Sequence, residues 1–147
     1  MLLKVADLSV FYGESQVIQS LSFEVEQGET VAIMGRNGMG KTSLFKALIG
    51  IIPAKRGSIT IAATDATRLK SYQRVANGMA FVPQGRMIFP YLTVEENILS
   101  GMENKKGWQV PDYIYSFFPV LGEMKHRRGG NLSGGQQQQL AIARALV

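Results

Sequence analysis

The chain has 147 residues, of which 46% are hydrophobic and 18% charged, with a formal net charge of +5 and no cysteine. That is at most one ordinary domain with a globular core, and it excludes a disordered chain, a disulfide scaffold and any thiolate metal site. The longest apolar stretch, ALIGIIPA, is broken by Pro53 and too short to cross a bilayer, and the positive balance points to an anionic partner.

Along the chain, MLLKVADLSV places Lys4 and Asp7 where a secretory signal needs an unbroken apolar run, so an intracellular, soluble protein is expected. LLKVADLSVFY and SLSFEVEQGE alternate as half-buried strands do, with Gly13 and Gly28 at turns. TVAIM (Thr30–Met34) is a near-continuous apolar run, as expected of a parallel strand buried on both faces. A glycine-rich loop then opens KTSLFKALIG, a predicted helix with Leu44, Phe45, Leu48 and Ile49 on one face and Gly50 as its stop. Residues 57–63 read as a short strand and 68–77 as a helix with a weak apolar stripe. MAFV (Met79–Val82) reads as a second buried strand.

Beyond that point the texture is helical. Thr93 and Glu96 have capping-box spacing, Pro111 suits a first helical turn, and Ile114, Phe117 and Phe118 follow at helical intervals. Residues 94–130 therefore read as a helical insertion in an α/β domain. Lys105-Lys106 and Lys125-His126-Arg127-Arg128 read as solvated faces, His126 included.

GRNGMGKT (Gly35–Thr42) matches G-x-x-x-x-G-K-[ST]. Glycines let backbone N–H groups of Gly35, Arg36, Asn37, Gly38, Met39 and Gly40 turn around phosphate oxygens where a Cβ would clash. Lys41 brings a compact charge to the β and γ phosphates, the Thr42 hydroxyl completes a Mg²⁺ shell, and Ser43 follows on the helix whose N-terminus favours an anion. The loop lies between a predicted strand and a helix, as this motif requires. Gln84 follows MAFVP, at the carboxyl end of a predicted parallel strand, where ligands of such sheets bind; its amide can reach Mg²⁺ or the attacking water. Tyr12 is a candidate to stack on a base. Ser133-Gly134-Gly135-Gln136 is again a capping box. A cap does not need its two glycines, though, and bare backbone at a helix N-terminus suits a second phosphate-contacting surface. Two such surfaces on one chain suggest a site shared between two chains.

Tyr12, GRNGMGKT, Gln84 and LSGGQ, in this order and spacing, resemble the ATP-binding subunits of ABC transporters. VPQGRMIFPYLTVEENIL and FFPVLGEMKHRRGGNLSGGQQQQLAIARAL resemble the importer subgroup for branched-chain amino acids and urea or short amides, and RRGGNLSGGQQQQ is closest to the urea type. The resemblance implies an α/β P-loop NTPase core with an N-terminal antiparallel β subdomain over residues 1–93, a helical subdomain over 94–133, and the start of a post-signature helix over 134–147. It implies ATP and Mg²⁺, and a head-to-tail dimer with a second copy or a paralogous subunit. There Lys41 and Thr42 of one chain, and Ser133, Gly134, Gly135 and Gln136 of the other, sandwich each ATP. It further implies transmembrane permease subunits, an external binding protein, a position on the cytoplasmic face of the membrane, and no nucleic acid.

The same resemblance implies a hydrophobic strand ending in Asp-Glu after the signature helix, and a later histidine. None of the eleven acidic residues fits; Asp65 comes closest but no Glu follows it, and His126 precedes the signature. The expectation is a chain truncated before that segment, without the catalytic Glu and without the strands the family places between TVAIM and MAFV. Such a chain would hold ATP and lack the group that orients the attacking water. A soluble ABC-type ATPase and a non-hydrolysing regulatory module are the alternatives.

Overall fold

The computed structural model describes residues 1–102 and 108–147, so the Lys105-Lys106 run lies outside the described residues. Two compact units form, Met1–Met79 and Ala80–Val147.

The first unit is built on β1 (Leu3–Tyr12), β2 (Ser15–Val25), β3 (Ala54–Ile61) and β4 (Thr64–Asp65), an antiparallel sheet in the order β2-β1-β3-β4. Val5, Leu8 and Val10 of β1 are all buried, which a strict two-residue alternation would forbid. The odd step is absorbed between Val5 and Leu8, where the register shifts against β2 and Asp7 takes a φ of +49°. Helix α1 (Lys41–Leu48) lays Leu44, Ala47 and Leu48 on this face, in one core with Ile18, Ile59 and Ile61. Phe45, expected on the buried face, is instead 43% exposed. It stands about 100° round the helix from Leu44, and Ala47 takes the inward place at i+3.

Arg74, on α2 (Ser71–Ala76), is 2% exposed and closes the far end of α1. Its guanidinium donates to the carbonyls of Ala47 (2.8 Å), Leu48 (2.7 Å), Leu69 (3.0 Å) and Thr67 (3.1 Å). A cation there gives the Leu48 carbonyl a partner, adds a second donor to the Ala47 carbonyl, which also accepts from the Gly50 amide, and complements the helix dipole.

Two expected strands do not form. TVAIM and MAFV are unpaired, with Val31 43% and Met34 89% exposed. An apolar run of this kind becomes a strand only when neighbours take up its backbone N–H and C=O groups on both sides. The four described strands all pair with one another, and neither run joins them.

The second unit contains α3 (Val94–Leu99), α4 (Asp112–Phe117), α5 (Pro119–Glu123), a 3₁₀ turn at Gly129–Asn131 and α6 (Gly134–Ala145). Val94, Ile98, Ile114, Leu121, Leu140 and Ala143 form its core. Helix α4 ends at Phe118 because Pro119 follows, and Pro119 then opens α5. Phe117, expected to pack with Ile114, is 66% exposed. His126 is exposed, as its surroundings in the sequence suggested. Among the described residues no helix is long and apolar enough to cross a membrane.

Candidate functional site

The first surface lies where the glycine-rich loop enters α1. Gly40 is the last residue before the helix, with φ +88°. A Cβ there would lie 2.6 Å from the Val17 carbonyl oxygen of β2. Only glycine allows both that backbone conformation and that approach. Lys41 folds back over the loop, its Nζ donating to the carbonyls of Gly35 (2.6 Å) and Arg36 (2.7 Å).

The start of α1 has no side-chain cap and no acidic residue in its first turn. The N–H groups of Lys41, Thr42 and Ser43 have no acceptor within the helix, and Thr42 is exposed. Helices α3 and α6 differ, for each starts with a side-chain cap. An uncapped helix N-terminus, a lysine over it and glycines around it are suited to an anion with several oxygens. Beneath the loop is a cavity of about 250 Å³ lined by Val17, Gln19, Ile33, Met39, Lys41 and Leu44. Tyr12 is 49% exposed at the end of β1, paired with Ser15 across the turn, and does not line that cavity.

Mg²⁺ keeps several waters and phosphate oxygens and asks for few protein ligands. The exposed Thr42 hydroxyl suits it, and among the described residues no cluster of three His, Asp or Glu offers a rival site.

The second surface is the start of α6. Ser133 Oγ accepts from the Gln136 amide at 3.3 Å, and Gln136 Oε1 accepts from the Ser133 amide at 2.9 Å. The capping box predicted from the spacing is therefore present. Ser133, Gly134 and Gly135 are all exposed, and a Cβ on Gly135 would meet nothing within 4 Å. The first turn of α6 carries no acidic residue.

Gln84 is exposed in the turn that leads to Arg86 and Met87, whose φ angles are +67° and +47°. Arg86 Nη1 donates to the Gly134 carbonyl and to Gln137 Oε1, both at 3.1 Å. Arg144 of α6 donates to the Met87 carbonyl at 2.8 Å, with its guanidinium 5.2 Å from the centre of the Phe89 ring. Burial holds the Arg144 pKa below its usual value. The buried Asn97 of α3 accepts from the Phe89 amide at 2.8 Å and donates to the carbonyls of Phe89, Leu92 and Thr93 at 2.9, 3.2 and 2.9 Å. The segment after Gln84 is thus fixed by α3 and α6. Arg86 and Arg144 are not marked by any local pattern, since each acts on backbone 48 and 57 residues away, while Asn97 serves the loop just before its own helix.

The chain is similar to proteins of known family. It is 41% identical over 143 residues to the high-affinity branched-chain amino acid transport ATP-binding protein BraG of Pseudomonas aeruginosa, covering 95% of this chain and 61% of that protein. It is 32% identical over 149 residues to the probable branched-chain amino acid transport ATP-binding protein LivF of Archaeoglobus fulgidus, covering 99% and 63%. Among solved structures, the ADP conformation of MJ1267, an ATP-binding cassette of an ABC transporter, superposes with a TM-score of 0.85 at 25% identity, covering 99% of this chain and 64% of that one. A nucleotide-free ATP-binding cassette from an ABC transporter gives 0.79 at 26% identity over the same shares. The chain thus spans 61% to 64% of the length of these four proteins. These neighbours are ABC ATPase cassettes, so the α/β P-loop fold expected from the sequence is the fold observed. Residues 18–147 match the family model described as ABC transporter, and the chain belongs to that family.

Proposed function

We propose that the chain is the nucleotide-holding part of an ABC import ATPase that works beside membrane permease subunits on the cytoplasmic face. The observation that carries this is the uncapped start of α1, with Lys41 lying over the carbonyls of Gly35 and Arg36. When ATP arrives, Lys41 exchanges those two neutral acceptors for phosphate oxygens, and the first-turn amides take up others. Thr42, with Gln84, would hold Mg²⁺, which neutralises phosphate charge when bound. Gln84 would orient the attacking water, and Tyr12 would stack on adenine. Ser133, Gly134, Gly135 and Gln136 would meet the ATP held by a second copy or a paralogous subunit.

Branched-chain amino acids are the substrate class supported by the names of the two relatives described above. The wording of RRGGNLSGGQQQQ suggested urea or short amides, and neither of those two relatives is named for them. No Asp-Glu pair follows a hydrophobic strand within these 147 residues, so this chain alone is expected to bind ATP with negligible turnover.

The shared site is tested by complementation. With Mg²⁺ and a non-hydrolysable ATP analogue, sedimentation should show self-association of the unaltered chain. Lys41→Ala and Gly135→Asp should each stay monomeric, whereas their equimolar mixture regains association, because one of its two sites is intact. Association of Lys41→Ala alone, or a mixture that stays monomeric, would contradict the shared site.

A further inference from the structure

We infer that Arg86 is a positioning residue that fixes the start of α6, and that a side chain at Gly134 would crowd its guanidinium. The inference deepens the reading above, on which its second test rests.

The guanidinium reaches 48 residues along the chain to the Gly134 carbonyl, and the same nitrogen donates to Gln137 Oε1. Gln137 in turn donates from Nε2 to the carbonyls of Gly129 (3.4 Å) and Leu132 (3.3 Å). One side chain therefore ties the turn after Gln84 to the first turn of α6 and, through Gln137, to the loop that leads into it.

Two features show that this arrangement works against local preference. Arg86 sits at φ +67°, a conformation disfavoured for a residue with a Cβ. Its charge lies at the N-terminal end of α6, where the helix dipole repels a cation. Among the described residues no carboxylate forms an ion pair with it, and the first turn of α6 has no acidic residue. Strain and an unneutralised charge persist together where surrounding contacts over-determine them. A charge that is unfavourable beside the helix N-terminus favours an anion there.

The two signature glycines then have different surroundings. A Cβ on Gly134 would lie 3.1 Å from Arg86 Nη1, so the end of that side chain would have to give by a few tenths of an ångström. A Cβ on Gly135 meets nothing within 4 Å, so that face is free for an atom from outside the chain. Arg86 thus sets the orientation in which Ser133 and Gly135 are presented.

The first test needs no nucleotide. Amide hydrogen exchange in Arg86→Ala should quicken at least tenfold over residues 129–137, while α1 is unchanged and Arg86→Lys recovers part of the protection. Unchanged exchange over 129–137 would overturn the inference. The second test is a cycle read by association with the Mg²⁺-bound ATP analogue. Gly134→Ala should weaken association about three- to fivefold in the unaltered chain, and less than twofold further in the Arg86→Ala background. Equal penalties in the two backgrounds would show that Gly134 serves something other than Arg86. If the unaltered chain does not associate at all, the shared-site reading falls, and the exchange result alone decides the role of Arg86.

Discussion

Arg74 shows how much one side chain can hold that a sequence does not display. It lies 26 and 27 residues from the carbonyls of Leu48 and Ala47, and nothing in SYQRVA distinguishes it from a surface cation. Arg86 and Arg144 are alike in this, with partners 48 and 57 residues away. Lys41 and Thr42 are the opposite case. Their work is done within one loop and one helical turn, so spacing alone exposes it. Arg74→Ala should lower unfolding stability by about 3 kcal/mol, because the four carbonyls gathered at the end of α1 lose a charged donor, the Ala47 carbonyl alone keeping the Gly50 amide. Urea denaturation measures this, and a change under about 0.5 kcal/mol would mean that water satisfies those carbonyls equally well.

Among the elements, what could be read from sequence divides by the range of the interaction that makes each one. The caps of α3 and α6 are contacts between residues three apart, and both formed where Thr93 and Ser133 predicted them. β1 and α1 also lie where their periodicity placed them, whereas β2 starts at Ser15, five residues before the predicted strand, and ends at Val25. Strands depend on partners, and TVAIM and MAFV have strand composition without a partner among the described residues. Ser133→Ala should cost about 1 kcal/mol through loss of the α6 cap, seen as a lower urea midpoint. Its counterpart in α3 is pH-sensitive. The Thr93 amide and hydroxyl hold the Glu96 carboxyl below its ordinary value of 4.5. A depressed carboxylate contributes stability that is complete above the ordinary value and is lost as pH falls through the lowered one. Between about pH 5 and pH 3, Glu96→Gln should therefore lose less melting temperature than the unaltered chain, since its amide keeps the cap without titrating. Equal acid sensitivity would exclude this cap as a contributor.

At the scale of the molecule, the chain forms two compact units and leaves Val31 and Met34 in solvent. Exposed apolar groups contribute no burial free energy, so the packing is incomplete for its length. Calorimetry should give an unfolding enthalpy well below the roughly 100 kcal/mol expected at about 0.7 kcal/mol per residue. A single transition with the full enthalpy would show that the apolar runs are packed in solution. Whether Gly35–Thr42 grips a triphosphate is decided by titration calorimetry of Mg²⁺–ATP into the unaltered chain and into Lys41→Ala. Saturable binding at one site per chain is expected, weakened by about 10- to 100-fold or lost in Lys41→Ala, as removal of a charged donor from phosphate oxygens requires. Equal affinity in the two proteins would contradict it.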